Sequence, residues 1–281
     1  MIGYDIARRP LEACGAYEPH NGAGFHSTGT CGTFGAAAAA ARILGLDVEA
    51  TQNALGGFNH SFAPTSSDPD AYLRELGDNW KLARVSIKPH ASCRSTHAAI
   101  DAVDNLRARH GFSAEDIEDI LVRINPFVFG MCGHATRHPM NSAQLSIPYS
   151  VAADLVFGSA GLPSFARSRR DDPRVIDMMA RIRFDVDHTQ KDDDEPTVRV
   201  TLKNGQSWEE HVPMPLGAPT NPVTDEALLK KFSGVVGMVF DEAITQKLAD
   251  VLMGLERVTD MKNEVVTLLA STPKTHAPFD A

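Results

Sequence analysis

Cysteine is sparse in this chain, and what there is lacks any ligand spacing. Cys14, Cys31, Cys93 and Cys132 form no CxxC pair. That argues against a zinc site and against an iron–sulfur cluster, which needs several thiolates gathered together. Free thiols in a reducing cytoplasm are expected. Basic charge is also in deficit. Lysine and arginine number 27 against 36 acidic residues, giving a net charge of −9, so a nucleic-acid partner is not expected. No apolar run approaches the ~20 residues of a membrane span. The first residues lack the basic-then-apolar layout of a secretory signal, and no GxGxxG loop follows a strand. The expected protein is soluble and cytoplasmic, with no membrane partner.

What is present reads as an α+β fold. A hydrophobic content of 43% with 22% charged residues is enough for one large domain or two modest ones. The spacing predicts a helix over 33–46, with Thr33 as its N-cap and Gly45 near its end. The six alanines 36–41 suit close helix packing. A polar loop is predicted at 64–69 and a short helix around 71–76. Ala99, Ile100, Val103 and Leu106 fall at helical spacing within 96–109. Residues 117–124 alternate as a strand, and a helix is predicted over 139–157, another over 173–179. Strands are predicted at 181–187 and 197–202. Asn204-Gly205 then signals a hairpin that returns 206–212 antiparallel. The acidic run 191–195 reads as a solvated loop. After a linker at 213–222, helices follow near 224–233 and 241–254.

Three segments carry chemistry. The run Lys88-Pro89-His90-Ala91-Ser92-Cys93-Arg94-Ser95-Thr96-His97 gathers four basic side chains at a helix start. Lysine and arginine supply fixed positive charge, and histidine a proton carrier near neutral pH. That mixture suits a small substrate with several carboxylates. A second segment, Gly24-Phe25-His26-Ser27-Thr28-Gly29 to Gly35, runs into the alanines. Gly29, Gly32 and Gly35 are expected to let backbone amides near the helix start face an anion, with His26 beside them. The third is Ser142-Ala143-Gln144-Leu145-Ser146-Ile147-Pro148-Tyr149.

Together these segments resemble the MmgE/PrpD family, the 2-methylcitrate dehydratases and their relatives. Its members carry a glycine-rich GxHxT segment, a KPxxxCxxTH segment and an AQFSxPYxVA segment in this order. The resemblance implies a mostly helical domain with an inserted smaller α/β lid domain. Here these would be a partial N-terminal helical domain at 1–87, a lid at 88–215 and C-terminal helices at 216–281 returning to the helical domain. It implies a lyase that dehydrates 2-methylcitrate or a related small polycarboxylate without cofactor or metal, as a homodimer. His26, Lys88 and His97 would be catalytic, His26 and Lys88 sharing one pocket. Arg94, Cys93 and Arg137 would bind substrate, Cys93 at a position where the decarboxylase branch carries histidine. Family members are longer, with upstream helices and a segment near Gly56-Gly57 that have no match here. Two further expectations follow: a catalytically silent shortened homologue or one half of a split enzyme, and an epimerase acting on an iminodisuccinate-like substrate.

Overall fold

The computed structural model describes residues 2–55 and 68–271. The chain divides into two compact units, 1–85 and 86–281. The first unit holds α1 (Ile2–Ala13), α2 (Tyr17–Gly22), α3 (Ser27–Leu44) and α4 (Val48–Leu55). α3 begins at Ser27, six residues before the predicted start. His26, not Thr33, is the extended N-cap residue, and the Thr33 hydroxyl donates back to the Gly29 carbonyl at 3.0 Å. The glycine-rich segment is therefore helix interior, and Gly32 and Gly35 present no free amides to an anion. Gly35 serves packing, whereas Gly32 faces open space. A Cβ on Gly35 would lie 2.4 Å from the Gly3 carbonyl oxygen and 2.8 Å from Ala7 Cβ, so α1 and α3 cross with their backbones nearly touching.

A buried ion pair fastens the rest of this unit. Arg9 donates to Asp5 at 2.8 Å and to the Tyr72 and Arg74 carbonyls at 3.1 and 3.0 Å, while Asp5 also accepts the Lys81 amide at 2.7 Å. Burial alone would raise the Asp5 carboxyl pKa, but Arg9 and the Lys81 amide hold it below its ordinary value. The helix expected around 71–76 is a 3-10 turn at Pro69–Tyr72 followed by further turns. Most of the loop expected at 64–69, and the Gly56-Gly57 join, lie outside the described residues.

The second unit is built on a four-stranded sheet of β1 (Ile117–Ile124), β2 (Ile182–Val186), β3 (Thr197–Leu202) and β4 (Ser207–His211), in the order β2-β1-β3-β4. β1 pairs parallel with β2 and antiparallel with β3, and β3 and β4 form the expected hairpin. Gly205 makes its turn at φ +87°, a region where a side chain is strained. The helix α5 (His97–His110) buries Ala99, Ile100, Val103 and Leu106 and packs on β3 and β4. The helix α6 (Pro126–Cys132) follows β1. The single helix predicted over 139–157 is two: α7 (Met140–Gln144) and α8 (Ile147–Phe157). Pro148 has no amide to carry the helix ladder back to the Gln144 carbonyl, and the Ser146 hydroxyl starts α8 afresh by accepting the Tyr149 amide. α8 is buried along nearly its whole length between α5 and α9 (Pro173–Ala180). Its Tyr149 is a packing residue whose hydroxyl donates to the Ser164 carbonyl at 2.6 Å. α10 (Asp225–Val236) and α11 (Glu242–Met253) follow, capped by Thr224 and Asp241, with short helical turns after them at Leu255–Arg257 and over 262–269.

Candidate functional site

The loop 88–97 is pinned from three sides within the second unit. Gln144 holds it twice: its side-chain amide donates to the Ala91 carbonyl at 2.7 Å, and its carbonyl accepts the Cys93 amide at 2.7 Å. The Ala91 amide donates to Ala160. Inside the loop, Ser92 and Thr96 share a hydroxyl hydrogen bond of 2.7 Å. The segment 142–149 thus serves the cationic run 88–97. On this fixed backbone Lys88 is exposed, its ammonium 3.4 Å from the Ser92 carbonyl. The Lys231 ammonium caps the Lys88 carbonyl.

The two histidines differ in kind. His97 is fully buried, and neither ring nitrogen has a hydrogen-bond partner of ordinary geometry. Burial first, then His90, Arg94 and Lys88, push its pKa down to about 3, against a weaker opposing pull from the Ser92 backbone. It is a neutral ring at physiological pH, unsuited to donate a proton. His90 stands edge-on to it, with ring centres 4.9 Å apart. Its Nε2 meets Asp101 Oδ1 at 3.0 Å, while Asp101 Oδ2 accepts the Leu216 amide at 2.6 Å. A carboxylate fixed by backbone and orienting an imidazole is the arrangement a proton carrier needs. Sequence reasoning did not single out His90, because its partner lies eleven residues on and no local signal marks the pair.

Both expected arginines are occupied within the chain. Arg94 donates to Glu195 at 2.9 Å. Glu195 closes the acidic run expected to be solvated, yet its side chain is only 17% exposed. Arg137 pairs with Asp171, which also meets His138 at 2.8 Å. Cys93 sits half-buried at the start of the helical turn 94–96, packed against the core cluster that includes the fully buried Cys132 at the end of α6. The Cys132 thiol, then the Ser95 amide and hydroxyl and the nearby Lys88, hold the Cys93 thiol below its ordinary pKa against the effect of burial. The influence of Cys93 and burial raise the Cys132 thiol and keep it protonated.

Beside the loop lies a cavity of about 480 Å³ whose polar wall includes His90, Asp104, Asp154 and Lys231. Lys88, Cys93, Arg94, His97 and Arg137 do not line it. Arg107 bridges Asp104 and Asp154, lying 3.2 Å from the latter. Burial, then the Asp104 carboxylate beside it, push Asp154 up to about 7. In the first unit His26 is exposed and makes no side-chain capping bond to α3. His20, by contrast, is fully buried, bonded to Thr30 at 2.8 Å and stacked on Phe25.

Residues 1–115 match the MmgE/PrpD N-terminal domain and residues 90–256 the MmgE/PrpD C-terminal domain. The chain is similar to cis-aconitate decarboxylase of Aspergillus terreus, 26% identical over 229 residues, covering 75% of this chain and 46% of that one. It is 24% identical to cis-aconitate decarboxylase of Mus musculus over 319 residues, covering 89% of this chain and 62% of the mouse protein. That alignment is longer than the 281 residues here, so the mouse protein carries segments opposite gaps in this chain. The chain spans about half the length of the curated relatives it matches. No described helix is long and apolar enough to cross a membrane. With both domains matched in order, and the second covering more than half of its residues, the chain belongs to the MmgE/PrpD family.

Proposed function

We propose that the chain acts in lyase chemistry on a small polycarboxylate, the dehydration of 2-methylcitrate or a close relative of it. The observation that carries this reading is the clamped loop 88–97, which holds Lys88, His90 and Arg94 on one stretch of backbone hydrogen-bonded to Gln144 and Ala160. In such a dehydration a proton leaves the carbon next to a carboxylate. The electron pair forms the new C=C bond, and hydroxide departs from the adjacent carbon, taking up a proton to leave as water. Negative charge builds on the neighbouring carboxylate, and a fixed ammonium beside it lowers the barrier. Lys88 has that task. Arg94 joins it by exchanging Glu195 for a substrate carboxylate, a swap of like for like that keeps the guanidinium paired. His26, by family resemblance, and His90, oriented by Asp101, are the proton carriers. His97 fills space behind the loop.

A second reading, decarboxylation of cis-aconitate, is favoured by the names of the relatives. There a C–C bond breaks, carbon dioxide leaves and the resulting carbanion takes up a proton, with the same demand for cations. Purified chain incubated separately with 2-methylcitrate and with cis-aconitate separates the two by unsaturation absorbance and by released carbon dioxide. We expect water loss from 2-methylcitrate, and Lys88→Ala to weaken binding at least about tenfold, or ~1.4 kcal/mol. Carbon dioxide from cis-aconitate would move the assignment to decarboxylation. Calorimetry showing binding of neither compound would overturn the polycarboxylate reading in favour of a silent homologue.

A further inference from the structure

We propose that the cavity between α10 and the start of the loop 88–97 is a second small-molecule site, which takes an apolar monocarboxylate with its acid group on Lys230 and Lys231 and its hydrocarbon body in the cleft. Of the residues given to the reaction above, His90 alone lines this cavity, and the inference does not rest on that reaction.

The walls come from separate elements of the second unit. α10 supplies Leu228, Lys231 and Val235, whose spacing puts them on one side of the helix. Ile87 comes from the chain entering the loop, Leu162 from the turn after α8, and Asp104 and Asp154 from α5 and α8. α10 buries none of its residues, and Ile87 and Val235 are 45% and 38% exposed. Apolar surface is thus left open to water inside a concave space of about 480 Å³, a size that suits a small molecule. A hydrocarbon body that covers this surface gains from its burial.

Charge decides the other end of the ligand. Arg107 donates from one guanidinium nitrogen to both Asp104 and Asp154, at 3.2 Å to the latter. The Asp154 side chain is only 4% exposed, and burial with the Asp104 carboxylate beside it keeps much of this acid protonated near neutral pH. One guanidinium therefore nearly balances the two acids, and His90 is engaged by Asp101. Lys230 and Lys231 differ. Both are exposed, and among the described residues neither pairs with a carboxylate; the Lys231 ammonium donates to the Lys88 carbonyl. The charge left over is thus positive and sits on two neighbouring lysines of an apolar cleft. A carboxylate with a hydrocarbon body answers both features. A polycarboxylate does not, since its further charges would lie against apolar walls or beside Asp104 and Asp154. An apolar amine meets the lysines as a like charge and finds both acids already held by Arg107.

The test titrates the full chain by calorimetry with octanoate, octanol and octylamine, three probes that share one hydrocarbon body, each kept below its micelle concentration. Octanoate should bind saturably at one per chain, octanol at least about tenfold more weakly, and octylamine not at all. Lys230→Gln combined with Lys231→Gln should weaken octanoate at least about tenfold and leave octanol unchanged. Val235→Trp should block both by filling the cleft, and 2-methylcitrate should not displace octanoate. Octylamine binding as tightly as octanoate, octanoate affinity unchanged in the double lysine variant, or displacement by 2-methylcitrate would each overturn the proposal. So would a lack of saturable octanoate binding to the wild-type chain, a measurement that needs no variant to fold. If octanoate binds while 2-methylcitrate is neither bound nor turned over, the proposed reaction falls and this site stands.

Discussion

A buried imidazole that must stay neutral makes a protein sensitive to acid, and a buried carboxyl that prefers its proton does the opposite. His97 and Asp154 set these two tendencies against each other inside one unit. His97 falls to about 3 in the folded chain against an ordinary 6.5, so the unfolded chain binds the extra proton between those values. Its contribution is present above pH 6.5 and drains away as pH falls, by about 2 kcal/mol at pH 5. Asp154 rises to about 7 against 3.8, so the folded chain binds the extra proton between them. Its contribution is present below pH 4 and is lost as pH rises through 7. Between pH 4 and 6.5 the slopes oppose, and the intact chain should show a nearly flat stability there. We expect His97→Phe, which keeps a ring and removes two unsatisfied nitrogens, to unfold at higher urea at pH 5 than at pH 7. Asp154→Asn should do the reverse. Equal profiles for both variants would count against burial as the cause. Glu195→Gln belongs here too: freeing Arg94 from its internal carboxylate should tighten polycarboxylate binding, read by calorimetry as a lower dissociation constant.

At the scale of elements, the close crossing of α1 and α3 is the most exposed to test. Gly35→Ala places a methyl group against the Gly3 carbonyl and Ala7. The helices must part, with a cost of roughly 1–3 kcal/mol of the overpacking kind. Gly32→Ala, whose Cβ would meet nothing within 4 Å, should be neutral or slightly stabilising in the same thermal melts. The pair also shows what sequence could and could not reveal. β1, α5 and the Asn204-Gly205 hairpin were readable because their periodicity and turn chemistry are local. The start of α3 was not, because glycines signal a loop unless a second helix is known to lie against them. The break before α8 was overlooked although Pro148 announces it. At the site, the cationic run 88–97 stood out by composition. Gln144 as its clamp, Asp101 as the partner of His90 and Glu195 as that of Arg94 lay hidden, since each contact joins residues far apart in the chain. Gln144→Ala should leave the fold intact while the Cys93 amide exchanges its hydrogen faster, since its acceptor is then less firmly placed.

For the molecule as a whole, apolar burial is unevenly shared. The second unit has a continuous core running from Ala98 to Val212 on one face of its sheet, the other face carrying Arg123, Arg183, Asp185 and Arg199, whereas the described residues of the first rely on a few side chains around Leu11, Cys14 and Cys31 and on the Arg9 network. A chain cut at the boundary between 85 and 86 should leave residues 86–281 cooperatively folded, with dispersed amide resonances, and residues 1–85 largely unfolded. A fragment 86–281 without a melting transition would show that its core needs the first unit.

The strand order has one more consequence, for the chain while it is being made. β1 is the inner strand with the most buried side chains, yet both of its neighbours, β2 and β3, come later in the sequence. The 57 residues between the end of β1 and the start of β2 must leave the ribosome first, about 3–11 s at ordinary synthesis rates. Throughout that interval Ile117, Ile120, Val122 and Ile124 have no strand beside them. The nascent protein thus offers a sticky β-edge to other chains for seconds before it can hide it, and slower translation of α6 to α9 should lower the soluble yield.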